Sequence, residues 1–279
     1  MSDRRRLDAE LVRRKIARSR EQAVELIRGG QVLVQGMPAI KPATQVSSGV
    51  SIQVLGGAVD DWASRGAHKL LGALDAFEPA GLSVVGKKVL DAGASTGGFT
   101  DVLLRRGARE VVAVDVSYGQ LVWRLQNDDR VRVVDRTNIR YVTAEQCGGL
   151  CDVMVGDLSF ISLTLVLPAI VSCVVDGGDV VPMVKPQFEV GKDRLGSGGV
   201  VRSSQLRAEV TTDVAVSAQE LGLSLRGVVA SPLPGPKGNV EYFLWLVKDG
   251  GAARLSRGEV AAMVDRKSTR LNSSHEPLS

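Results

Sequence analysis

A glycine-rich turn that follows an apolar run constrains the fold of this chain more than any other feature. Residues 89–100 read VLDAGASTGGFT, with one aspartate and three glycines. The next strand-like run, 111–114, also ends on an acid, Asp115. Glycines let a ligand approach the backbone closely, and an acid at the tip of the next strand can accept hydrogen bonds from ribose hydroxyls. The pattern predicts a nucleoside-containing cofactor at the carboxyl edge of a parallel sheet.

The spacing of these glycines separates two classes of cofactor. Dinucleotide sites typically read G-x-G-x-x-G, whereas residues 93–98 read GASTGG. S-adenosylmethionine has no pyrophosphate, so its loop need not direct a row of N–H groups at phosphates. The D-x-G-x-x-x-G-G pattern therefore favours S-adenosylmethionine over NAD, and a purely structural glycine turn is the remaining interpretation. The predicted cofactor contacts in this region are Asp91, Gly93, Ser95, Gly97, Gly98 and Asp115.

Composition narrows the class of protein. Hydrophobic residues make up 44% of the 279 residues and charged residues 24%, as in ordinary globular proteins. Three cysteines and two histidines are too few for a disulfide framework or a histidine-rich metal centre, so we predict a reducing compartment and no metal. The most apolar stretch, 161–175, is interrupted by polar residues and shorter than the roughly 20 residues that span a bilayer. With no signal-peptide pattern at the start, we expect a cytoplasmic protein without stable membrane association, and a monomer.

The positive charge is concentrated at one end of the chain. Residues 1–60 contain ten lysines and arginines against six acids, so the whole net charge of +4 lies there and the remainder is neutral. A small basic segment beside a larger neutral domain indicates a polyanion-binding module. A solvated basic helix face is the alternative interpretation.

Hydrophobic periodicity predicts a small α+β module followed by a larger α/β domain. An amphipathic helix is predicted within 5–16, and a capping box opening at Ser19 starts a second helix that ends at Gly29. After a linker at 56–60, strands and helices alternate, which predicts a Rossmann-like parallel sheet with helices on both faces. The last two strands, within 225–247, are expected to form the antiparallel hairpin typical of S-adenosylmethionine-dependent methyltransferases.

The N-terminal segment resembles the S4 RNA-binding domain. Residues 6–36, RLDAELVRRKIARSREQAVELIRGGQVLVQG, contain the two helices and the G-x-V-x-V-x-G phrase on which this resemblance rests. It implies that arginines on a helical face grip RNA phosphates, for which guanidinium groups are well suited. Such contacts give salt-sensitive affinity with little sequence information. The implied RNA contacts are Arg4, Arg6, Arg18, Arg20 and Lys41.

Four ionisable residues lie at the ends of predicted elements of the larger domain. Lys69 lies in SRGAHKLLGAL, Asp157 in GDLSFIS, Lys185 at the end of VVPMVK and Glu241 in GNVEYFLWL. Taken singly, a lysine at a strand end is usually solvated and an aspartate in a turn is often a cap. In this order they resemble the K-D-K-E tetrad of RNA ribose 2'-O-methyltransferases of the FtsJ/RrmJ type. Such a tetrad can deprotonate a ribose hydroxyl, with Lys185 as base, Asp157 orienting it, and Glu241 holding Lys69 or a ribose hydroxyl.

The chain to about residue 265 is similar to the TlyA family. The phrases SRGAHKL, DAGASTGGFT, DLSFIS, VKPQFE and NVEYF carry this resemblance. It implies S-adenosylmethionine-dependent 2'-O-methylation of cytidine in 16S rRNA, 23S rRNA or both, within ribosomal subunits, although the family is called hemolysin by name. The predicted organisation is an S4-like domain at 1–60, a methyltransferase domain at 61–250, a C-terminal extension at 251–265 and a disordered, non-native tail at 266–279.

Weaker candidates and rival functions complete the predictions. Asn138, in the turn after the third strand, is placed near the adenine, and Phe160 near the cofactor, although a core position is the more ordinary role of such an aromatic residue. Trp62 and Trp123 are expected to pack rather than to stack on bases. The rivals are a non-catalytic RNA-binding assembly factor, a membrane-damaging cytolysin and a nicotinamide-dependent dehydrogenase.

Overall fold

The structure of the protein, a computed structural model, divides into two compact units, Met1–Asp61 and Trp62–Ser279. The residues described are 4–14, 16–17, 19–54, 62–235 and 237–273, with the backbone alone at 192, 197 and 266–273. Arg18 and the predicted linker at 56–60 lie outside the described residues. Among the helices of the described ranges, none combines the length and the apolar character needed to cross a bilayer.

The N-terminal unit consists of two short helices and two small antiparallel sheets. Its elements are β1 (Arg4–Arg6), α1 (Leu7–Arg13), α2 (Arg20–Arg28), β2 (Val32–Val34), β3 (Met37–Pro38), β4 (Gln45–Ser47) and β5 (Ile52–Val54). Strand β1 pairs with β4, and β2 lies between β3 and β5. The predicted cap of α2 is confirmed, because Ser19 Oγ accepts a hydrogen bond from the Gln22 amide and the helix ends at Gly29.

The first helix starts later than the sequence suggested. Residues of β1 are exposed and pair in register with β4, Arg4 with Ser47 and Arg6 with Gln45, so α1 begins only at Leu7. The expectation that Arg4 and Arg6 lie on a helical face is therefore wrong. The physical reason is that the apolar period which needs burial starts at Leu7, leaving the three arginines free to add an edge strand.

The second unit alternates strands and helices. It contains α3 (Gly66–Phe77), β6 (Lys88–Ala92), α4 (Gly98–Arg105), β7 (Glu110–Val114), α5 (Trp123–Gln126), β8 (Val131–Val134), β9 (Cys151–Gly156), α6 (Leu163–Ser172), β10 (Val174–Val184), α7 (Pro186–Glu189), α8 (Ser204–Glu220), β11 (Leu223–Ala230), β12 (Tyr242–Lys248) and α9 (Arg257–Ser273). The seven strands form one sheet in the order β11-β12-β10-β9-β6-β7-β8. Six of the seven strands run in one direction and β12 runs against them, so the predicted Rossmann-like sheet with a closing antiparallel hairpin is confirmed.

Both faces of this sheet are buried. In the central strand β6 every residue is buried, and successive side chains point to opposite faces. Val89 belongs to a core cluster with Leu70 of α3 and Val102 of α4, whereas Leu90 belongs to a second cluster with Val166 of α6. A strand covered on both faces needs a nearly continuous apolar run, which explains why β6 reads as one in the sequence.

Three helices differ from the sequence-based expectation. The sequence pattern predicts a helix over 119–126, but α5 begins only at Trp123, because Gly119 has a φ of +65° and its amide donates a hydrogen bond to the Asp135 carboxylate. Helix α6 was not predicted, since Pro168 interrupts its pattern, but its apolar face is buried against the sheet. Helix α9 continues to Ser273, past the predicted start of a disordered tail at 266. Residues 274–279 lie outside the described part of the chain.

Candidate active site

Strand register brings the predicted tetrad to one edge of the sheet. In β9 and β10, Gly156 pairs with Pro182, so Asp157 and Lys185 follow neighbouring parallel strands at their carboxyl ends. Strand β12 runs in the opposite direction, and its first residue pairs with Val184. Glu241, which precedes β12, therefore lies at the same edge as Lys185. Lys69 reaches this edge from helix α3.

The four side chains form a continuous chain of alternating charge. Lys185 Nζ lies 2.6 Å from Asp157 Oδ1, and Lys69 Nζ lies 3.7 Å from Asp157 Oδ2 and 2.6 Å from Glu241 Oε2. The side chains at its two ends, Lys185 and Glu241, are only 8% and 1% exposed. Two cations and two anions balance each other here. Ion pairs withdrawn from water are costly to break one partner at a time, so the arrangement holds each head group in place.

Two further polar residues, which the sequence analysis did not single out, support the tetrad. Lys185 Nζ donates a hydrogen bond to Ser159 Oγ at 2.7 Å. Gln187 Nε2 donates to Glu241 Oε1 at 3.3 Å. The available sequence signal was position: each lies two residues after a tetrad member, within the phrases DLSFIS and VKPQFE.

The glycine loop packs directly against the tetrad. Gly93 has a φ of +86°, and a Cβ there would lie 2.9 Å from the carbonyl oxygen of Asp157. A Cβ on Gly97 would overlap Leu125, and one on Gly98 would overlap the Ser64 hydroxyl. Gly93 and Gly97, with φ values of +86° and +101°, adopt a backbone conformation that favours glycine, whereas Gly98 is required by close packing alone. The loop can therefore bring a ligand within reach of Asp157.

Two acids flank the loop with acceptor capacity to spare. Asp91 is fully buried and accepts a hydrogen bond from Thr100 Oγ1 at 2.7 Å, while its Oδ1 has no partner among the described residues. Burial raises the pKa of Asp91 from 3.8 to about 7. Asp115 accepts hydrogen bonds from the amides of Ser95 and Ser117, at 2.8 and 2.7 Å, which leaves further lone pairs free. An orphaned buried acceptor and a partly used carboxylate fit a ligand with an amine and a ribose diol.

Two cavities meet at the tetrad. The first, of about 380 Å³, is lined by the glycine loop, Lys69, Asp157 and Lys185. The second, of about 520 Å³, is lined by residues that follow β9 and β10 and precede β12, and it shares Ser159 and Lys185 with the first. The side chain of Lys185 therefore borders both cavities.

Among the described residues, no group of three or more histidine, cysteine or acidic side chains is arranged to hold a metal ion.

The remaining predicted residues have mixed outcomes. Asn138 is exposed and its Oδ1 accepts from the Arg140 amide, capping a short 3-10 helix. Phe160 is 89% exposed, with its ring 5.2 Å from that of Phe188, so the alternative of a core position is wrong. Trp123 is also exposed, contrary to the expectation that it packs; the buried residue of the short helix α5 is Leu125. Trp62 is partly buried, with the Arg105 guanidinium 4.2 Å above its ring.

Two of the predicted RNA-binding arginines of the N-terminal unit contact one buried acid. Arg6 and Arg20 both approach Asp8, at 2.7 and 3.4 Å. The hydrogen bond from Arg6 lowers the pKa of Asp8 to about 2, so the carboxylate stays charged. Arg4 and Lys41 are exposed. The structure therefore groups Arg6 and Arg20 around one acid while leaving both guanidinium groups largely in solvent.

Comparison with known proteins matches both units. The description "FtsJ-like methyltransferase" applies to a family model that matches residues 62–248, and an S4 domain model matches residues 5–52. The 16S/23S rRNA (cytidine-2'-O)-methyltransferase TlyA of Mycobacterium tuberculosis is 58% identical over 258 residues, covering 92% of this chain and 95% of that protein. The chain belongs to the TlyA family. The match to this relative spans most of both chains.

Other TlyA-family relatives extend the comparison. Hemolysin A of Brachyspira hyodysenteriae is 35% identical, covering 85% of this chain and 97% of that protein. A solved structure of a hemolysin-named protein from Streptococcus thermophilus has a TM-score of 0.72 and 37% identity, covering 98% of this chain and all of that one. The predicted family, its methyltransferase fold and its S4 domain are confirmed by these matches. The fold implies the use of S-adenosylmethionine.

Proposed function

We propose that this TlyA-family chain methylates the 2'-hydroxyl of a cytidine in 16S rRNA, 23S rRNA or both, within ribosomal subunits, as a cytoplasmic monomer. The observation that carries the proposal is the Lys185–Asp157–Lys69–Glu241 chain at the junction of two cavities. One cavity lies beside the glycine loop and suits a methyl donor, and the other is open to a substrate. The name of the Mycobacterium tuberculosis relative supports the choice of cytidine and rRNA.

Lys185 acts as the general base in this proposal. A ribose hydroxyl is a poor nucleophile until its proton is removed, and Lys185 in its neutral form offers a lone pair to that proton. Asp157 at 2.6 Å and Ser159 at 2.7 Å fix the position of Nζ. After the transfer, the ammonium pairs with the Asp157 carboxylate, 2.6 Å away. Asp157 is thus the positioning partner of the base.

Lys69 and Glu241 hold the other end of the site. Their contact at 2.6 Å links helix α3 to the start of β12 and keeps the Lys69 ammonium beside Asp157. With this cation in place, Asp157 is shared between two lysines and cannot rotate toward either alone. Placement of the attacking oxygen is the main source of rate in a displacement of this kind.

The cofactor site is assigned to the glycine loop and its flanking acids. S-adenosylmethionine, when bound, supplies an electrophilic methyl group on its sulfonium. The orphaned Oδ1 of Asp91 is suited to its amino group, and the unused lone pairs of Asp115 to its ribose diol. Gly93 gives the methionine part access to the backbone beside Asp157.

The N-terminal unit is assigned to RNA. Arg4, Arg6, Arg20 and Lys41, with Arg18 outside the described residues, are proposed to contact phosphates. The exposed guanidinium groups beside Asp8 support this role, since such groups bind phosphate in a bidentate manner.

Transfer of a labelled methyl group from S-adenosylmethionine to isolated ribosomal subunits tests the proposal. Wild-type protein should label rRNA at one ribose, which then resists alkaline cleavage. Lys185→Ala should lose at least about 100-fold in rate while still binding the cofactor. Lys87→Ala, which changes an exposed lysine of the same domain, serves as the matched control. Equal labelling by wild type and Lys185→Ala would contradict the assignment of the base, and no labelling by wild type would favour a non-catalytic assembly factor.

A further inference from the structure

The second cavity has the composition of a site for a planar, partly polar group. Its apolar wall includes Leu195 and the Phe160–Phe188 ring pair, and its polar groups include Gln187 and Asn239. Ligand sites are typically apolar pockets with a few polar atoms that fix orientation. Which polar atoms remain available therefore decides what the cavity can recognise.

Most polar side chains around this cavity already have partners within the protein. Asn239 Oδ1 accepts from the Val201 amide at 2.9 Å, and its Nδ2 donates to the Gly199 carbonyl at 2.9 Å. Glu241 accepts from Lys69 and from Gln187. Gln187 differs, because its Oε1 is buried and has no hydrogen-bond donor among the described residues. A buried acceptor without a partner is costly, and it marks a place where a ligand donor is missing.

The orientation of the Gln187 amide is fixed by its neighbour. Glu241 is paired with Lys69, and an ionised carboxylate can only accept hydrogen bonds. Gln187 must therefore present its NH₂ group to Glu241, as the 3.3 Å contact shows, and its carbonyl oxygen points the other way. Exchange of the amide oxygen and nitrogen would place two acceptors together. The free end of Gln187 is an acceptor.

We propose that the second cavity receives the base of the target nucleotide and that Gln187 Oε1 accepts a hydrogen bond from the 4-amino group of cytosine. This inference rests on the proposed function. Gln187 lies two residues after Lys185, at the start of α7, so a base in this cavity belongs to the ribose whose hydroxyl faces Lys185. Uracil carries a carbonyl oxygen at the same ring position, which would oppose one acceptor to another. Gln187 is thus a specificity-determining residue.

The test compares two substrates that differ in one base. The methylated nucleotide is first mapped on wild-type subunits, and subunits with uridine at that position are then prepared. Wild type should prefer cytidine by at least about tenfold in kcat/KM, as is usual for one base-edge contact. Gln187→Leu and Gln187→Met should reduce this preference, the kcat/KM for the cytidine substrate divided by that for the uridine substrate, to about threefold or less. Leu195→Ala, which enlarges the same cavity without changing its hydrogen bonds, should keep the wild-type ratio.

The ratio separates base recognition from support of the tetrad. Loss of the contact between Gln187 and Glu241 lowers turnover on both substrates alike, so it leaves the ratio unchanged. An active Gln187 variant that retains the full preference for cytidine would overturn the inference. Wild-type protein that methylates the cytidine-containing and the uridine-containing subunits equally would overturn it too.

A binding measurement covers the case in which the variants do not turn over. Cytidine and uridine are titrated into wild-type protein saturated with S-adenosylhomocysteine, and the affinities are compared with those of Gln187→Met. Tighter binding of cytidine by wild type, lost in the variant, supports the base site even if no subunit is methylated. Equal binding of both nucleosides by wild type would contradict it, whereas absence of methyl transfer alone would contradict only the proposed function.

Discussion

Both units pair buried acids with cations, but the cations differ in their exposure to solvent. In the N-terminal unit, Arg6 and Arg20 are 47% and 60% exposed although Asp8 between them is buried. In the methyltransferase unit, Lys69 and Lys185 are only 12% and 8% exposed. Half-exposed cations remain available to a polyanion, whereas buried cations hold a geometry. Acid–cation pairs therefore leave cations available to bind a polyanion in the N-terminal unit, and they hold side chains in position in the methyltransferase unit.

The largest effect is expected from removal of Glu241, which positions Lys69 in the methyltransferase unit. Glu241→Ala leaves Lys69 without its closest acid in a buried setting, so we expect about a 100-fold loss of methyl transfer and roughly 3 kcal/mol of stability. Steady-state kinetics and denaturant unfolding measure the two. Glu110→Gln, on a less buried acid, should change neither appreciably. Retention of full activity would show that Lys69 does not need this anchor.

Asp91 offers a test by pH. Because burial raises its folded pKa to about 7, the folded state binds more protons than the unfolded state between pH 4 and 7, and stability falls as pH rises through that window. Asp91→Asn removes this penalty and can still accept from Thr100. The ligand-free variant should be more stable than wild type at pH 8, by up to roughly 4 kcal/mol, but not at pH 4.

Thermal unfolding of wild type and Asp91→Asn across pH 4 to 8 measures this difference. The variant should also bind S-adenosylmethionine about tenfold more weakly at pH 8, since it lacks the negative charge. A constant stability difference across the pH range would show that Asp91 is not titrating. Asp179→Asn, at a partly buried acid outside the glycine loop, serves as the control for cofactor binding.

Loss of one exposed arginine should weaken binding to ribosomal subunits without changing turnover. Arg20→Ala should weaken binding to ribosomal subunits by about three- to tenfold. The slope of log binding constant against log salt concentration should become shallower by about one, as expected for the loss of one phosphate contact. Turnover at saturating subunits should be unchanged. Binding titrations at several salt concentrations measure both quantities, with Arg28→Ala, on the same helix but outside the Asp8 cluster, as the comparison. A fall in turnover at saturation would place Arg20 in a positioning role.

The smallest effect is expected at Asp8. Its folded pKa of about 2 lies below the ordinary value of 3.8, so its stabilising contribution is present above pH 4 and is lost as pH falls through 2. Asp8→Asn should cost about 1 kcal/mol or less at pH 7, because the partner arginines are largely solvated. Denaturant unfolding at pH 7 and pH 2.5 should show the difference shrinking at the lower pH. A larger loss of stability in Asp8→Asn at pH 2.5 than at pH 7 would contradict the predicted direction of the pH dependence.

Local patterns in the sequence identified the elements of the methyltransferase unit. The apolar run of β6, the acid after β7 and the alternation of strands and helices were enough to predict the sheet and its closing hairpin. Local patterns failed where a residue acts through distant neighbours. Pro168 interrupted the pattern of helix α6, so that helix was not predicted. Phe160, predicted near the cofactor with a core position as the alternative, is exposed beside Phe188.

The sequence by itself determined the two units, because charge distribution and hydrophobic period are local properties of the chain, and its motifs carried the resemblance that gave the family and the tetrad. Only the tertiary structure decided that Asp157, Lys185 and Glu241 meet, since their meeting depends on strand register and on the reversed direction of β12. It alone distinguished Gln187, whose amide oxygen has no donor among the described residues, from Asn239, whose amide oxygen and nitrogen both have partners. Hydrogen-bond partners far apart in sequence are selected by packing, which no local pattern records.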